Sequence, residues 1–292
     1  MLNKIKGVMP ALVTPLDNGS VNTGALKKLI EFLLKQNASG FYIGGATGEG
    51  LLLSLDERKK LCEKSIDYIG GECTKIVHIT DMNYKNTIEL AKHAEACGAD
   101  AISAIPPIYF SYDDEDIYNY YKNIAASINI PVMIYYALSA NRVMPTRLFK
   151  RLFEIDNITS VKWTNSNYYK VIELKSECPK ASVINGPDEM LLCGLAAGAD
   201  GGIGSTYNIM LPTYQKIYEL YKKGEMKKAL AEQTKADKVI SVMLNHVVIP
   251  SVKLVLREMG IDAGEAASPQ KQYSKEEQAA IIKELKDAGL EI

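Results

Sequence analysis

The chain has 292 residues, a hydrophobic fraction of 47%, a charged fraction of 24% and a formal net charge of −1. That length supports a large core, either about two domains or one α/β barrel of about 250 residues. The balanced charge argues against nucleic acid or an anionic membrane surface as partner. No apolar run reaches the roughly 20 residues of a membrane-spanning helix.

In chain order, short β-type runs fall at Val8–Thr14, Gly40–Gly45, Lys75–Thr80, Ala101–Ile105, Pro131–Tyr136, Thr159–Thr164, Ser182–Gly186 and Gly201–Gly204. Helical stretches separate them. Ser54-Leu55-Asp56-Glu57 reads as a capping box, with Ser54 accepting from the Glu57 amide while Glu57 reaches back. The helix after Asp113-Asp114 places Ile117, Tyr121, Ile124 and Ile128 on one face, and its acidic start suits the helix dipole. Cys97-Gly98 and Ala197-Gly198 read as helix C-termini. A βα unit thus recurs with a period of about 25 residues, which predicts a (β/α)8 TIM barrel over residues 1–224. An open doubly wound sheet is the alternative, but no G-x-G-x-x-G follows the first strand.

From Glu225 the strands stop. Met226–Leu244 and Ile249–Met259 read as helices, and Ser274-Lys275-Glu276-Glu277 caps another. Pro250 falls in a first turn, where proline is tolerated. Residues 225–292 are therefore expected to form a C-terminal helical extension packed on the barrel.

Five cysteines occur, with no C-x-x-C pair, and the start Met1-Leu2-Asn3-Lys4 has no signal-peptide character. A reduced cytoplasmic location is expected. His78, His93 and His246 lie far apart in the chain and outside any H-E-x-x-H pattern, so no metal site is expected.

Barrel chemistry gathers where strands run into their following loops. The sixth expected strand ends in Val161-Lys162-Trp163-Thr164. A lysine there is either a surface residue of an edge strand or a buried amine. Low-dielectric walls disfavour an ammonium, and a neutral amine can attack a ketone to form a Schiff base. The second strand ends in Gly44-Gly45-Ala46-Thr47-Gly48-Glu49-Gly50, either a tight turn or a nest of backbone N–H groups for a carboxylate. The fifth ends in Tyr135-Tyr136, core aromatics or a proton carrier. The seventh ends in Asn185-Gly186-Pro187-Asp188-Glu189, the acidic first turn of a helix and also a place to bind sugar hydroxyls. The eighth ends in Gly204-Ser205-Thr206, which offers a hydroxyl.

G-x-T-G-E after the second strand, a tyrosine ending the fifth and a lysine ending the sixth resemble the pyruvate-dependent class I aldolase superfamily of N-acetylneuraminate lyase and dihydrodipicolinate synthase. The resemblance covers essentially the whole chain. The stretch NGPDEMLLCGLAAGADGGIGSTYN, Asn185–Asn208, is most similar to the N-acetylneuraminate lyases. The resemblance implies a Schiff base between Lys162 and the substrate C2 ketone, and Tyr135 handling protons at the C4 hydroxyl. Thr47 is implied to bond Tyr135 and, with the Ala46 amide, to hold the carboxylate. Thr164, Gly186, Asp188, Glu189 and Ser205 match positions that hold the sugar chain. Tyr109 matches a tyrosine of the subunit interface and the proton network. The implied partners are small molecules, sialic acid and pyruvate, in a homotetramer, with no metal or redox cofactor needed.

The chain departs from the family pattern at Tyr136-Ala137-Leu138, where Asn and Pro are common, at Ala46, where a hydroxyl is common, and at Pro187, where some lyases carry an aromatic residue. Ala140 stands where the synthases carry an arginine, with Arg142 two residues on, which disfavours the synthase. Two other readings remain: an aldolase for a 2-keto-3-deoxy sugar acid, and a binder that keeps the pocket without turnover.

Overall fold

The computed structural model describes residues 4–71, 73–137 and 143–292. The chain begins with β1 (Gly7–Pro10), β2 (Leu16–Asp17), β3 (Ser20–Val21), α1 (Thr23–Lys35), β4 (Gly40–Ile43) and α2 (Leu55–Ile69). It continues through β5 (Thr74–His78), α3 (Tyr84–Cys97), β6 (Ala101–Ala104), α4 (Asp114–Ala126), β7 (Val132–Ala137) and α5 (Thr146–Phe153). Then follow β8 (Ile158–Thr164), α6 (Tyr168–Glu177), β9 (Ser182–Asn185), α7 (Leu191–Ala196), β10 (Gly201–Gly204) and α8 (Tyr207–Lys222). The chain finishes with α9 (Met226–Asn245), α10 (Val248–Glu258) and α11 (Lys275–Asp287).

Eight strands form one sheet in the order β1-β10-β9-β8-β7-β6-β5-β4, and every pairing in it is parallel. A parallel bridge from Ala11 to Tyr42, with Leu12 N–H donating to Tyr42 O at 2.9 Å, joins the two ends. This is the expected (β/α)8 barrel with a C-terminal helical extension. Alternation along β7 explains its two layers: Met133, Tyr135 and Ala137 face the barrel interior, while Val132, Ile134 and Tyr136 join the outer core under the helices. The first strand is shorter than the apolar run suggested, because beyond Pro10 the chain turns toward the mouth, where Thr14 Oγ1 donates to Gly48 O at 2.6 Å.

Two local expectations need correction. The hairpin β2–β3 was not foreseen, although its turn is Asn18-Gly19 with both residues at positive φ, a recognised hairpin signal. It also changes the α2 cap. Ser54 accepts from Glu57 N–H at 3.3 Å as expected, but the Glu57 carboxylate takes Val21 N–H of the hairpin at 2.5 Å instead of reaching back. Ser274 and Glu277 do form a complete capping box on α11.

Beyond α8, α9 packs on α8, α10 on α8 and α9, and α11 against α9 and α10. Among the described residues no single helix is long and apolar enough to cross a membrane. The strand-five loop positions Leu138, Ala140 and Arg142 lie outside the described residues. Side by side on the outside of the barrel, α2 and α3 bring Cys62 next to His93 and Cys97.

Candidate active site

Lys162 lies on β8 in register with Tyr135 of β7 and Ile184 of β9, both interior residues. Because Val161 and Trp163 point outward, period-two alternation turns Lys162 inward. It is 5% exposed. Its Nζ stands 4.4 Å from the ring centres of both Tyr42 and Tyr135. The two rings meet edge to face, 5.9 Å apart. Tyr42 donates to Ser103 Oγ at 3.0 Å, and burial, then the neighbouring Tyr135, holds its phenol well above the usual range. Tyr42 is thus a fixed wall.

His78, the last residue of β5, completes this wall, its ring 6.1 Å from that of Tyr135. Among the described residues neither ring nitrogen has a hydrogen-bond partner. Burial, reinforced by Arg58 and then Lys162, pushes the imidazole down to about 3, so it is neutral at physiological pH. Arg58 of α2 fixes this strand end by donating to His78 O at 3.0 Å and Thr80 O at 2.7 Å. The sequence reading passed over Tyr42, His78 and Arg58. For Tyr42 and His78 the only linear signal was position near a strand end, and Arg58 on α2 had none.

The β4 loop was expected to form an anion nest. Among the described residues the Ala46 and Thr47 N–H groups donate to no acceptor, and Ala46 is exposed at the mouth. The Thr47 hydroxyl was expected on Tyr135. It pairs instead with Ser205 Oγ at 2.7 Å, linking the β4 and β10 loops. Glu49 also has a role that the motif alone did not disclose. With φ +56 it turns inward and pairs with Lys253 of α10 at 2.5 Å, both side chains fully shielded from solvent. Its other oxygen accepts from Ala267 N–H at 2.5 Å and Gln270 Nε2 at 2.6 Å. The C-terminal extension is therefore fastened to the glycine-rich loop from inside.

Further round the mouth stand Thr164, Gly186, Asp188 and Glu189, from the ends of β8 and β9, with Ser205 after β10 adjoining Thr47. Asp188 and Glu189 occupy a single 3-10 turn leading into α7, the helix-start role expected of them. Tyr168 OH donates to Asn185 Oδ1 at 2.6 Å, and Asn185 Nδ2 donates to Pro187 O at 2.7 Å, which shapes this corner. Thr164 Oγ1 is buried with no partner among the described residues, and a Cβ at Gly186 would collide with it. Only glycine lets the two chains come so close. Glu189 is exposed, while Asp188 is buried. Asp188 Oδ2 accepts from Thr206 N–H at 2.7 Å and Thr206 Oγ1 at 2.6 Å, so one of its oxygens is committed to the β10 loop.

Burial lifts the Asp188 carboxyl to about 6, against the pull of the Thr206 bonds. Its folded-state value is raised, so between about pH 4 and pH 6 the folded protein keeps a proton that the unfolded chain has released. This group's stabilising contribution is present below that window and lost as pH rises through it. Asp188→Asn, whose carbonyl can still accept both bonds, removes this dependence. Wild type is expected to lose about 2–3 kcal/mol relative to Asp188→Asn as pH rises from about 4 to about 7. Denaturant unfolding at both pH values measures it, and a difference that does not change with pH refutes it.

Tyr109 is 76% exposed, at positive φ, with its ring edge-on to Phe110 at 4.9 Å. It stands at the rim and in the wall of a cavity of about 480 Å³ that also includes Ala46, His78 and Tyr135. Lys162 and the five sugar-side residues lie outside that lining. The cavity thus occupies the apolar side of the mouth.

A buried lysine stands between two tyrosines at the carboxyl end of a parallel (β/α)8 barrel. The chain belongs to the Dihydrodipicolinate synthetase family, which it matches over residues 4–288. It is 34% identical over 284 residues to the N-acetylneuraminate lyase of Clostridium perfringens, covering 96% of this chain and 98% of that protein. It is 36% identical over 262 residues to N-acetylneuraminate lyase 2 of Escherichia coli, covering 88% and 86%. CdNal from Clostridium difficile, solved in complex with mannosamine, superposes with a TM-score of 0.95 at 31% identity, covering 98% of this chain and 100% of that one.

Proposed function

We propose that the protein is a carbon–carbon lyase that cleaves N-acetylneuraminate to N-acetylmannosamine and pyruvate. The observation that carries this reading is Lys162 Nζ, buried and 4.4 Å from the rings of Tyr42 and Tyr135. The family membership and the lyase relatives support it. In this reading the Lys162 amine adds to the C2 ketone of the open-chain substrate and water leaves, giving an iminium. The substrate carboxylate rests on the Ala46 and Thr47 N–H groups. Tyr135 takes the C4 hydroxyl proton, the C3–C4 bond breaks, and its electron pair moves into the iminium to form an enamine. N-acetylmannosamine departs as the aldehyde. C3 is then protonated, and water releases pyruvate and the free amine.

Thr164, Gly186, Asp188, Glu189 and Ser205 are assigned to the sugar chain, with the unpartnered Thr164 hydroxyl as its strongest candidate anchor. The neutral His78 ring adds one donor and one acceptor at the other wall. Borohydride reduction in the presence of pyruvate is expected to leave a reduced pyruvyl adduct on Lys162, mapped by peptide mass spectrometry. An unmodified Lys162 refutes the mechanism. Faster cleavage of a shorter 2-keto-3-deoxy acid than of N-acetylneuraminate refutes the substrate.

Tyr135→Phe separates proton transfer from imine formation. It is expected to lower kcat about 10²–10⁴-fold, the usual range for an acid/base group, while pyruvate trapping on Lys162 survives. Loss of trapping together with turnover points to a packing role instead.

The rim supports assembly into a homotetramer. Leu51, Leu52, Met82, Tyr109 and Phe110 are all exposed there, an apolar rim of the kind that marks contact surfaces. Native mass spectrometry tests this, and a monomer at micromolar concentration refutes it. A reducing cytoplasmic location is proposed on the grounds that the cysteines are odd in number and form no C-x-x-C pair in the sequence.

A further inference from the structure

We propose that Cys62, His93 and Cys97 form a zinc site that staples α2 to α3, with water in the fourth position. The Cys62 Sγ, His93 Nε2 and Cys97 Sγ atoms all lie within 4.8 Å of one another. His93 and Cys97 are one helical turn apart on α3, so their side chains share a face, and Cys62 comes from the neighbouring helix. His93 Nε2 is the point of convergence: Cys97 Sγ lies 3.5 Å from it and Glu63 Oε1 3.2 Å.

These spacings match a tetrahedron. Zinc bonds of about 2.3 Å to sulfur and about 2.0–2.2 Å to nitrogen or oxygen imply ligand–ligand edges of about 3.6 Å for S···N and about 3.4 Å for N···O. Among the three protein ligands the Cys97–His93 edge is already present, and the other two, both within 4.8 Å, close with a shift of about 1 Å by Cys62. Two soft sulfurs with one imidazole select zinc over magnesium or calcium. The half-exposed Glu63, paired with His93, marks the path by which the ion enters. On binding, each thiol gives its proton to solvent and coordinates as thiolate. The two thiolates balance the charge of the ion. The reaction at Lys162 does not involve this site.

The expectation of no metal site rested on the separation of the histidines along the chain. A His-x-x-x-Cys pair on one helix was readable. Its partner on another helix was not.

Cobalt(II) is the spectroscopic probe, added to the full-length protein with its thiols reduced. One equivalent is expected to give tetrahedral visible bands and a near-ultraviolet thiolate charge-transfer band, both erased by zinc. Cys97→Ser and His93→Gln are expected to abolish these bands and to weaken zinc more than about 100-fold, beyond the loss typical of a second-sphere change. Cys193→Ser, at an exposed cysteine outside the cluster, is expected to retain them. Lyase activity of folded His93→Gln is expected to match wild type. No cobalt–thiolate bands, or bands unchanged in both His93→Gln and Cys97→Ser, overturn the proposal. A Cys62–Cys97 disulfide in protein prepared without reductant, with no cobalt spectrum after reduction, overturns it in favour of a redox pair.

Discussion

Lys162→Arg is expected to reduce kcat/KM for N-acetylneuraminate cleavage by about 10⁴-fold or more and to abolish borohydride trapping of pyruvate. Arginine keeps the charge and much of the bulk, but its guanidinium does not lose its proton in proteins and forms no imine with a ketone. Without the imine, the C3 carbanion has no electron sink, and Tyr135 alone cannot supply one. Electrostatic help from a cation would survive in this variant, so the loss isolates the covalent step. Steady-state assays with pyruvate detection, alongside mass spectrometry of the trapped protein, give the two readouts. Retention of more than about a tenth of wild-type activity sinks the Schiff-base account.

Breaking the buried pair at the back of the mouth is expected to have the largest effect on stability. Lys253→Met leaves Glu49 without its counter-charge in a fully shielded position, and removal of one partner of such a pair typically costs about 3–5 kcal/mol. The direction of the Lys253 shift points the same way: burial pushes its ammonium down harder than Glu49 pulls it up, so the pair lives in surroundings hostile to charge. Glu49→Gln/Lys253→Met is expected to recover much of the loss, because the glutamine carbonyl can still accept from Ala267 N–H and Gln270. Urea unfolding of the three proteins tests this. A change below about 1 kcal/mol in Lys253→Met shows that water reaches the pair.

The same pair ties stability to activity. Glu49 shares its loop with Ala46 and Thr47, whose free N–H groups are assigned to the substrate carboxylate. Loosening α10 from Glu49 is therefore expected to raise KM for pyruvate in the trapping reaction even at temperatures where Lys253→Met remains folded. Normal trapping by a destabilised variant separates the two roles.

The barrel was readable because each barrel strand carries its own signature. Val161-Lys162-Trp163 is β-branched or aromatic on both sides of the lysine, and the period of two settles which way the lysine points once the strand is known. Glycines, a capping serine and proline in a first turn act over a few residues, and they marked Gly98, Ser274 and Pro250 correctly. The Asn18-Gly19 hairpin was equally local and was missed because each of its strands has only two residues.

The candidate site was legible where its residues sit in a motif. Lys162, Tyr135 and Thr47 were found because strand ends can be counted along the chain. His78 and Tyr42 were not, since an imidazole or a phenol in an apolar run reads as core until its neighbours are known. The bond of Thr47 was assigned to the wrong partner for a related reason: Ser205 lies 158 residues away, and only barrel closure brings the β4 and β10 loops together.

What the amino-acid order determined by itself was the alternation of strand and helix, the inward lysine and the glycine-rich turn, because these depend on dihedral preference and periodicity within a few residues. Tertiary structure alone decided the pairing of Glu49 with Lys253, the packing of the His78 ring against Tyr42 and Tyr135, and the meeting of Cys62 with His93 and Cys97. Each of these depends on which distant side chains share a small volume away from water, and that is set when the parallel sheet curls and its two edges join.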